Sequence, residues 1–314
     1  MEKTNLLIIG GFGFIGSNLL DRFHQDARYN LIVFEFSNLQ PKAPAHQRMA
    51  RIYYGDFNNS EDLESVFREN RIDIVIHLVC TTIPGSSNAN IPFDIQSNLV
   101  QTVQLLELMR NYGVNRIVFL SSGGTVYGEP KSLPARESDP TDPICSYGII
   151  KLSIEKYLHL FAHMHGLRYL ILRPSNPYGP YHASAKQGLI NVVLRRALSG
   201  GPVSIWGDGN IVRDYIYIGD LAEAVFRMVE GGKWGNVVNI GSGTGLSVRE
   251  VLAAIGKVVP DLRVEYQPAR NFDIERLVLD TARMRSLAAI PLTGLDEGIS
   301  KTMAWLRSQA ADPE

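Results

Sequence analysis

Sulfur is scarce in this chain, and neither sign of charge is in excess. Its 314 residues hold two cysteines, Cys80 and Cys145, too few for a disulfide framework or a zinc site. Lysine and arginine total 31 against 32 aspartate and glutamate, a formal net charge of −1, so no global field draws nucleic acid or an anionic membrane. No apolar run approaches the roughly 20 residues that a membrane span needs. The first residues, MEKTNLLIIGG, carry a short apolar stretch that ends in glycines without a cleavage signal, and they read as a first strand. Free thiols and no export signal point to the cytoplasm. Low-complexity linkers and internal repeats are missing. So are the G-x-S-x-G elbow and the phosphate-loop lysine, which argues against hydrolase and kinase chemistry. What remains is a globular balance, 45% apolar and 20% charged, in a chain long enough for one large α/β domain or a domain plus a lobe.

Strand-like and helix-like patterns alternate through the first two-thirds. Leu6–Gly10, Leu31–Phe36, Arg51–Tyr54, Asp73–Leu78 and Arg116–Ser121 are short apolar runs. Between them Phe14–Arg22, Ser60–Arg68 (with Ser60 as cap) and Asn98–Asn111 carry helical periodicity. Short continuous apolar strands between helices imply a parallel sheet covered on both faces, a doubly wound Rossmann-type fold. Past Asn176 the strands shorten, and helices are expected at Asp220–Glu230, Val248–Val258 (capped by Ser247) and Ile299–Leu306. This predicts a dinucleotide-binding domain over 1–175 and a smaller, interleaved α/β substrate lobe over 176–314, with segments near 211–242 returning to the sheet.

Gly10, Gly13 and Gly16 are spaced by three between the first strand and first helix. Glycine permits the sharp turn and lets backbone approach a pyrophosphate closely, while the helix N-terminus offers N–H groups and partial positive charge. Glu35 ends the second strand, where a carboxylate can accept from both ribose hydroxyls of adenosine and repel a 2′-phosphate. No arginine follows within 36–40, so NAD is favoured over NADP. Asp56 reads equally as a cap on the adenine edge or as a turn residue.

Tyr147 and Lys151 are four apart at the start of a helix running to about His165, hence on one face. A phenol with a reference pKa of about 10 is a poor base at neutral pH; a nearby ammonium and a cationic nicotinamide favour the phenolate. His159 and His163 on the same helix have metal-ligand spacing but no third ligand, and no metal is expected.

With these motifs in order, the chain resembles the extended short-chain dehydrogenase/reductase family, in particular its nucleotide-sugar epimerases and dehydratases of the UDP-galactose 4-epimerase type. The matching segments are GGFGFIG (10–16), DIVIHL (73–78), SSGGTVYG (121–128), RPSNPYGP (173–180), RDYIYIGD (213–220), NIGSG (239–243) and the tail Leu292–Trp305. The resemblance implies that Tyr147 is the acid/base on a sugar hydroxyl and that Lys151 tunes it and binds the nicotinamide ribose. It further implies a cofactor site that includes Phe14, Ile15, Phe57, Leu78, Val79, Cys80, Asn98, Ser121 and Pro174. The substrate implied is a nucleotide-diphosphate sugar, with a UDP-sugar favoured. Arg213 and Arg270 would hold its diphosphate. Asn176 would bond phosphate or sugar, and Gly188, Leu189, Ser204 and Trp206 would line the base pocket. Thr82 and Ser86 would read sugar hydroxyls. A homodimer through a four-helix interface of 98–111 and 146–165 is implied as well.

One departure matters. Gly123 occupies the position where the family usually carries its third catalytic hydroxyl. Thr125 and Ser122 are the nearby replacements, with Thr125 favoured. The acidic pair of the dehydratases is missing from this segment, which argues against 4,6-dehydration. The reading is therefore an NAD-dependent nucleotide-sugar epimerase acting at C4, with a nucleotide 4-keto-sugar reductase as the alternative.

Overall fold

The apolar runs become the centre of a parallel sheet. A computed structural model describes residues 2–185, 187–268 and 274–311. In chain order its first half contains β1 (Thr4–Ile9), α1 (Phe14–His24), β2 (Tyr29–Glu35), α2 (His46–Met49), β3 (Ala50–Tyr54), α3 (Ser60–Glu69), β4 (Ile74–His77), α4 (Ile91–Asp94), α5 (Gln101–Asn111), β5 (Arg116–Leu120), α6 (Ser146–His165) and β6 (Arg168–Pro174). The second half contains β7 (Asn176–Tyr178), α7 (Leu189–Leu198), β8 (Val203–Trp206), β9 (Val212–Tyr217), α8 (Ile218–Glu230), β10 (Asn236–Ile240), β11 (Gly245–Ser247), α9 (Val248–Gly256), β12 (Val264–Gln267), β13 (Arg276–Leu277), α10 (Ala282–Ala288) and α11 (Leu295–Ala311).

Seven strands form one sheet in the order β10-β6-β5-β4-β1-β2-β3, and each of its pairings is parallel. The order reverses between β1 and β4, and in such sheets the crevice beyond the strand ends at that point is where ligands bind. Because side chains alternate along a strand, Leu6 and Ile8 pack into one core with α1 and α8, while Leu7 and Ile9 pack into the other with α3, α5 and α6. That two-sided burial is why the central strands read as unbroken apolar runs.

A third core joins α7, α9 and α11 to β8 and β9. Around it, β7, β9, β11 and β13 form a four-stranded sheet, and β8 pairs with β12. The strand β10 returns to the large sheet beside β6, whereas β9 does not join it.

Some element ends differ from expectation. Asn59, not Ser60, caps α3, its side chain accepting from the Glu61 N–H at 3.2 Å. The helix expected over 98–111 begins as a π-helical turn, Ile95–Val100, before α5. Helix α8 starts at Ile218 rather than Asp220. Ser247 does cap α9, within a reciprocal capping box with Glu250. Among the described residues no helix is long and apolar enough to cross a membrane, and no group of three or more His, Cys, Asp or Glu side chains could hold a metal ion.

Candidate active site

Beyond the strand ends lie two cavities that share Gly10, Gly13, Leu78 and Cys80, of about 380 Å³ and 520 Å³. The smaller contains Glu35, Asp56, Phe57 and Val79. The larger contains Phe14, Ile15, Thr82, Ser121, Ser122, Thr125, Tyr147, Lys151, Pro174, Asn176 and Gly188. The fold thus gathers residues from far apart in the chain onto one continuous hollow.

The glycine turn forms its middle. Gly10 has φ +86°, and a β-carbon at Gly16 would lie 2.5 Å from the carbonyl oxygens of both Gly10 and Gly11. Only glycine lets α1 start this close to the turn. Gly13 caps α1 with no side-chain bond, and no acidic residue occupies the first turn, so its N-terminal N–H groups remain for an anion. Glu35 is buried at the end of β2. Its carboxylate accepts from the Phe12 N–H at 2.8 Å and the Phe36 N–H at 2.9 Å. Burial pushes that carboxyl up, and the two N–H groups pull it back down. Asp56 accepts from the N–H and side-chain amide of Asn58, at 2.8 and 2.9 Å; it closes a turn while also facing the cavity.

In the larger cavity Tyr147 and Lys151 occupy successive turns of α6. Lys151 Nζ donates to the Leu120 carbonyl at 2.8 Å and lies 5.6 Å from the centre of the Tyr147 ring. Burial pushes the tyrosine phenol up, with the Cys80 and Cys145 thiols adding to the rise; Ser122, as a hydrogen-bond partner of the phenol, opposes it. Burial likewise pushes the Lys151 ammonium down. Burial thus favours the neutral form of both groups.

Position 123 is closed to a side chain. A β-carbon there would stand 2.6 Å from Leu279 Cδ1 and 2.8 Å from the Arg173 carbonyl oxygen. Thr125, by contrast, has a buried Oγ1 with no hydrogen-bond partner. The Ser121 hydroxyl donates to Glu155, which is itself paired with Arg173 at 2.6 Å; what Ser121 brings to the cavity is not a free donor.

Several expected contacts lie elsewhere. Asn98 lines neither cavity: it is buried, its amide bonded to Asp94 Oδ1 and Thr81 Oγ1, each at 2.8 Å. Ser86 is exposed and bonds the Ile83 carbonyl. Leu189 begins α7 just beyond Gly188. Ser204 and Trp206 are exposed on β8, and Arg213, on β9, donates to the Val212 carbonyl at 2.9 Å; none of the three lines the cavity that holds Tyr147. Arg270 lies outside the described residues.

Two further residues went unread in the sequence. Asp94, fully buried, accepts from Thr82 Oγ1 at 2.6 Å, from Asn98 and from Ser146 Oγ at 2.6 Å. It ties the loop after β4 to the residue preceding Tyr147, and no local spacing signals that role. His182 also lines the larger cavity, two residues past the RPSNPYGP segment (173–180).

Sequence comparison matches residues 6–241 to the NAD dependent epimerase/dehydratase family. The chain belongs to this family. It is 33% identical to a putative UDP-glucose 4-epimerase of Methanocaldococcus jannaschii, over 96% of this chain and 98% of the relative. It is 31% identical to a dTDP-4-dehydro-6-deoxyglucose reductase of Escherichia coli, over 98% of each. Among solved structures, UDP-glucose 4-epimerase of Thermotoga maritima with UDP-glucose superposes with a TM-score of 0.90 at 32% identity, covering 98% of this chain and 100% of the other. The family's cofactor is NAD, and the two joined cavities suit it: a glycine cradle in the middle, the Glu35 carboxylate at one end and Tyr147 with Lys151 at the other.

Proposed function

We propose that this epimerase inverts C4 of a UDP-hexose. The observation that supports the reading is the larger cavity, whose lining includes Tyr147, Lys151, Thr125 with its unpartnered hydroxyl, and Gly10, Gly13 and Gly16 of the glycine turn. Bound NAD, held by the glycine turn and Glu35, would supply the reversible hydride exchange at the sugar carbon that inversion needs. Tyr147 takes the proton of the C4 hydroxyl and gives one back, acting as base and then acid. Lys151, fixed by the Leu120 carbonyl, supplies positive charge that favours the phenolate and holds the nicotinamide ribose. Thr125 bonds the sugar oxygen and relays its proton, and Ser122 supports the phenol. Gly10, Gly13, Phe14 and Ile15 hold the cofactor's pyrophosphate, and Glu35 its adenosine ribose. Asn176, in the larger cavity, bonds phosphate or sugar, and the assignment of Arg213 and Arg270 to the diphosphate rests on the family resemblance alone. Residues 1–175 with the returning β10 carry the cofactor, and the rest of 176–314 carries the nucleotide sugar.

The proposed assembly is a homodimer in the cytoplasm. Ile149, Tyr157, Leu160 and Met164 stand exposed on α6 at spacings that make one stripe, and a second copy of α5 and α6 would cover it.

The test is conversion of UDP-galactose to UDP-glucose with no added nicotinamide cofactor. Wild type is expected to turn over repeatedly, and Tyr147→Phe to lose about 100-fold to 10,000-fold in kcat. The likeness to a 4-keto-sugar reductase supports one other reading. No interconversion of any UDP-hexose, together with stoichiometric oxidation of reduced cofactor by a 4-keto sugar, decides for it.

A further inference from the structure

One ring nitrogen in the larger cavity is buried without a hydrogen-bond partner. His182 is 7% exposed, and its Nδ1 has no hydrogen-bond partner. A buried nitrogen left unpaired by its own chain calls for a partner from outside it. Burial, and then Arg195, push the imidazole down to about 4, so the neutral ring carries one donor and one acceptor.

Its surroundings select the partner. The ring meets Phe14, the first residue of α1, edge to face at 4.7 Å. On another side is Gly188, where a β-carbon would lie 2.7 Å from His182 Nε2. Gly188 is the N-cap of α7. Neither α1 nor α7 has a side-chain cap or an acidic residue in its first turn. The histidine therefore stands between two uncapped helix N-termini, both of which favour an anion.

A strained turn carries the ring there. Tyr181 has φ +67°, a conformation that is an outlier for a bulky residue and that persists only where surroundings over-determine it. Its ring packs on Trp305 at 5.5 Å and on His46 at 5.2 Å. Asn18 donates to the Pro180 carbonyl at 3.1 Å, and Arg195 donates to those of His182 and Ala183. Side chains of α1, α2, α7 and α11 thus hold the turn that aims His182 inward.

We propose that His182 is a diphosphate-binding residue, donating its ring N–H to an oxygen of a pyrophosphate lodged between the N-termini of α1 and α7. The inference rests on the nucleotide-sugar reading above. Two ligands carry that group, the nucleotide sugar and NAD, and the experiment separates them.

UDP is titrated calorimetrically into NAD-loaded wild type, His182→Asn and His182→Leu, and NAD retained through gel filtration is measured for each. His182→Leu is expected to weaken one of the two by about tenfold or more, and His182→Asn, which keeps a donor, to restore most of it. Uridine, which lacks the diphosphate, should bind all three alike. A loss confined to UDP places the contact on the substrate, and a loss confined to NAD places it on the cofactor. A folded His182→Leu that binds both as wild type does overturns the proposal, as does an equal loss for uridine. Should the leucine variant not fold, nitrogen-15 spectra of histidine-labelled wild type decide: His182 resonances unmoved by UDP and by NAD overturn it. A wild type that binds NAD but no UDP sinks the nucleotide-sugar reading itself, a distinct outcome.

Discussion

Gly123 donates its N–H to the Pro174 carbonyl at 2.8 Å, and that contact seals the position against a side chain. The backbone of the segment after β5 lies directly on the end of β6, leaving no room for the hydroxyl that the family resemblance leads one to expect there.

Restoring that hydroxyl should fail. In Gly123→Ser the new β-carbon meets the Arg173 carbonyl at 2.8 Å, and backbone cannot yield as a side-chain end can. Overpacking of this kind costs about 1–3 kcal/mol. The expected outcome is a melting temperature lowered by several degrees and no gain in kcat; a variant that is faster and equally stable would sink the account.

Thr125 offers the opposite case. Its Oγ1 is buried without a partner, so Thr125→Val removes a hydroxyl the folded chain does not use. Stability should hold or rise, because an unsatisfied buried polar group is itself costly. Activity should fall about 10-fold to 100-fold if the hydroxyl serves the sugar oxygen, within the range of general acid–base contributions. Ser122→Ala is the comparison: if it loses more kcat than Thr125→Val, the relay runs through Ser122.

Glu35 should set cofactor choice and local stability together. Its carboxylate already accepts the N–H groups of Phe12 and Phe36. Glu35→Ser is expected to weaken NAD binding by about tenfold, which is about 1.4 kcal/mol, and to narrow the preference over NADP. Dissociation constants for the two cofactors check this, and an unchanged ratio refutes it.

Buried neutral histidines should make the protein acid-labile. His77 is held down to about 3 by burial and then by Lys151, and His182 to about 4, both from 6.5. Between those values and 6.5 the unfolded chain binds protons that the folded chain refuses. Stability is therefore greatest above pH 6.5 and falls as pH drops below it, by about 2 kcal/mol per histidine at pH 5. Glu35, Asp214 and Asp220, pushed up by burial, act in the opposite sense, so the informative quantity is a difference between proteins. Between pH 7.5 and pH 5, His182→Asn should lose less melting temperature than wild type; an equal loss refutes the assignment.

Much of this molecule is legible in its sequence because some relations are set by neighbours along the chain. Apolar runs between helical periods dictate the doubly wound sheet. The three-residue spacing of Gly10, Gly13 and Gly16 dictates a turn that a helix can follow closely, and the four-residue spacing of Tyr147 and Lys151 places both on one face of α6. Helical and pleated geometry repeat over a few residues, so such features survive any tertiary context. Contacts between distant segments decided the rest. Whether position 123 can hold a hydroxyl depends on β6, fifty residues on. The Ser121 hydroxyl is taken by Glu155, the start of α6 is tied through Ser146 to Asp94, and Trp206 is left exposed rather than in the cavity. His182 is a buried ring facing two helix N-termini only because Asn18, 162 residues from Pro180, helps to hold its turn. No periodicity encodes these, since each depends on where the packed sheet and helices bring separate stretches of backbone together.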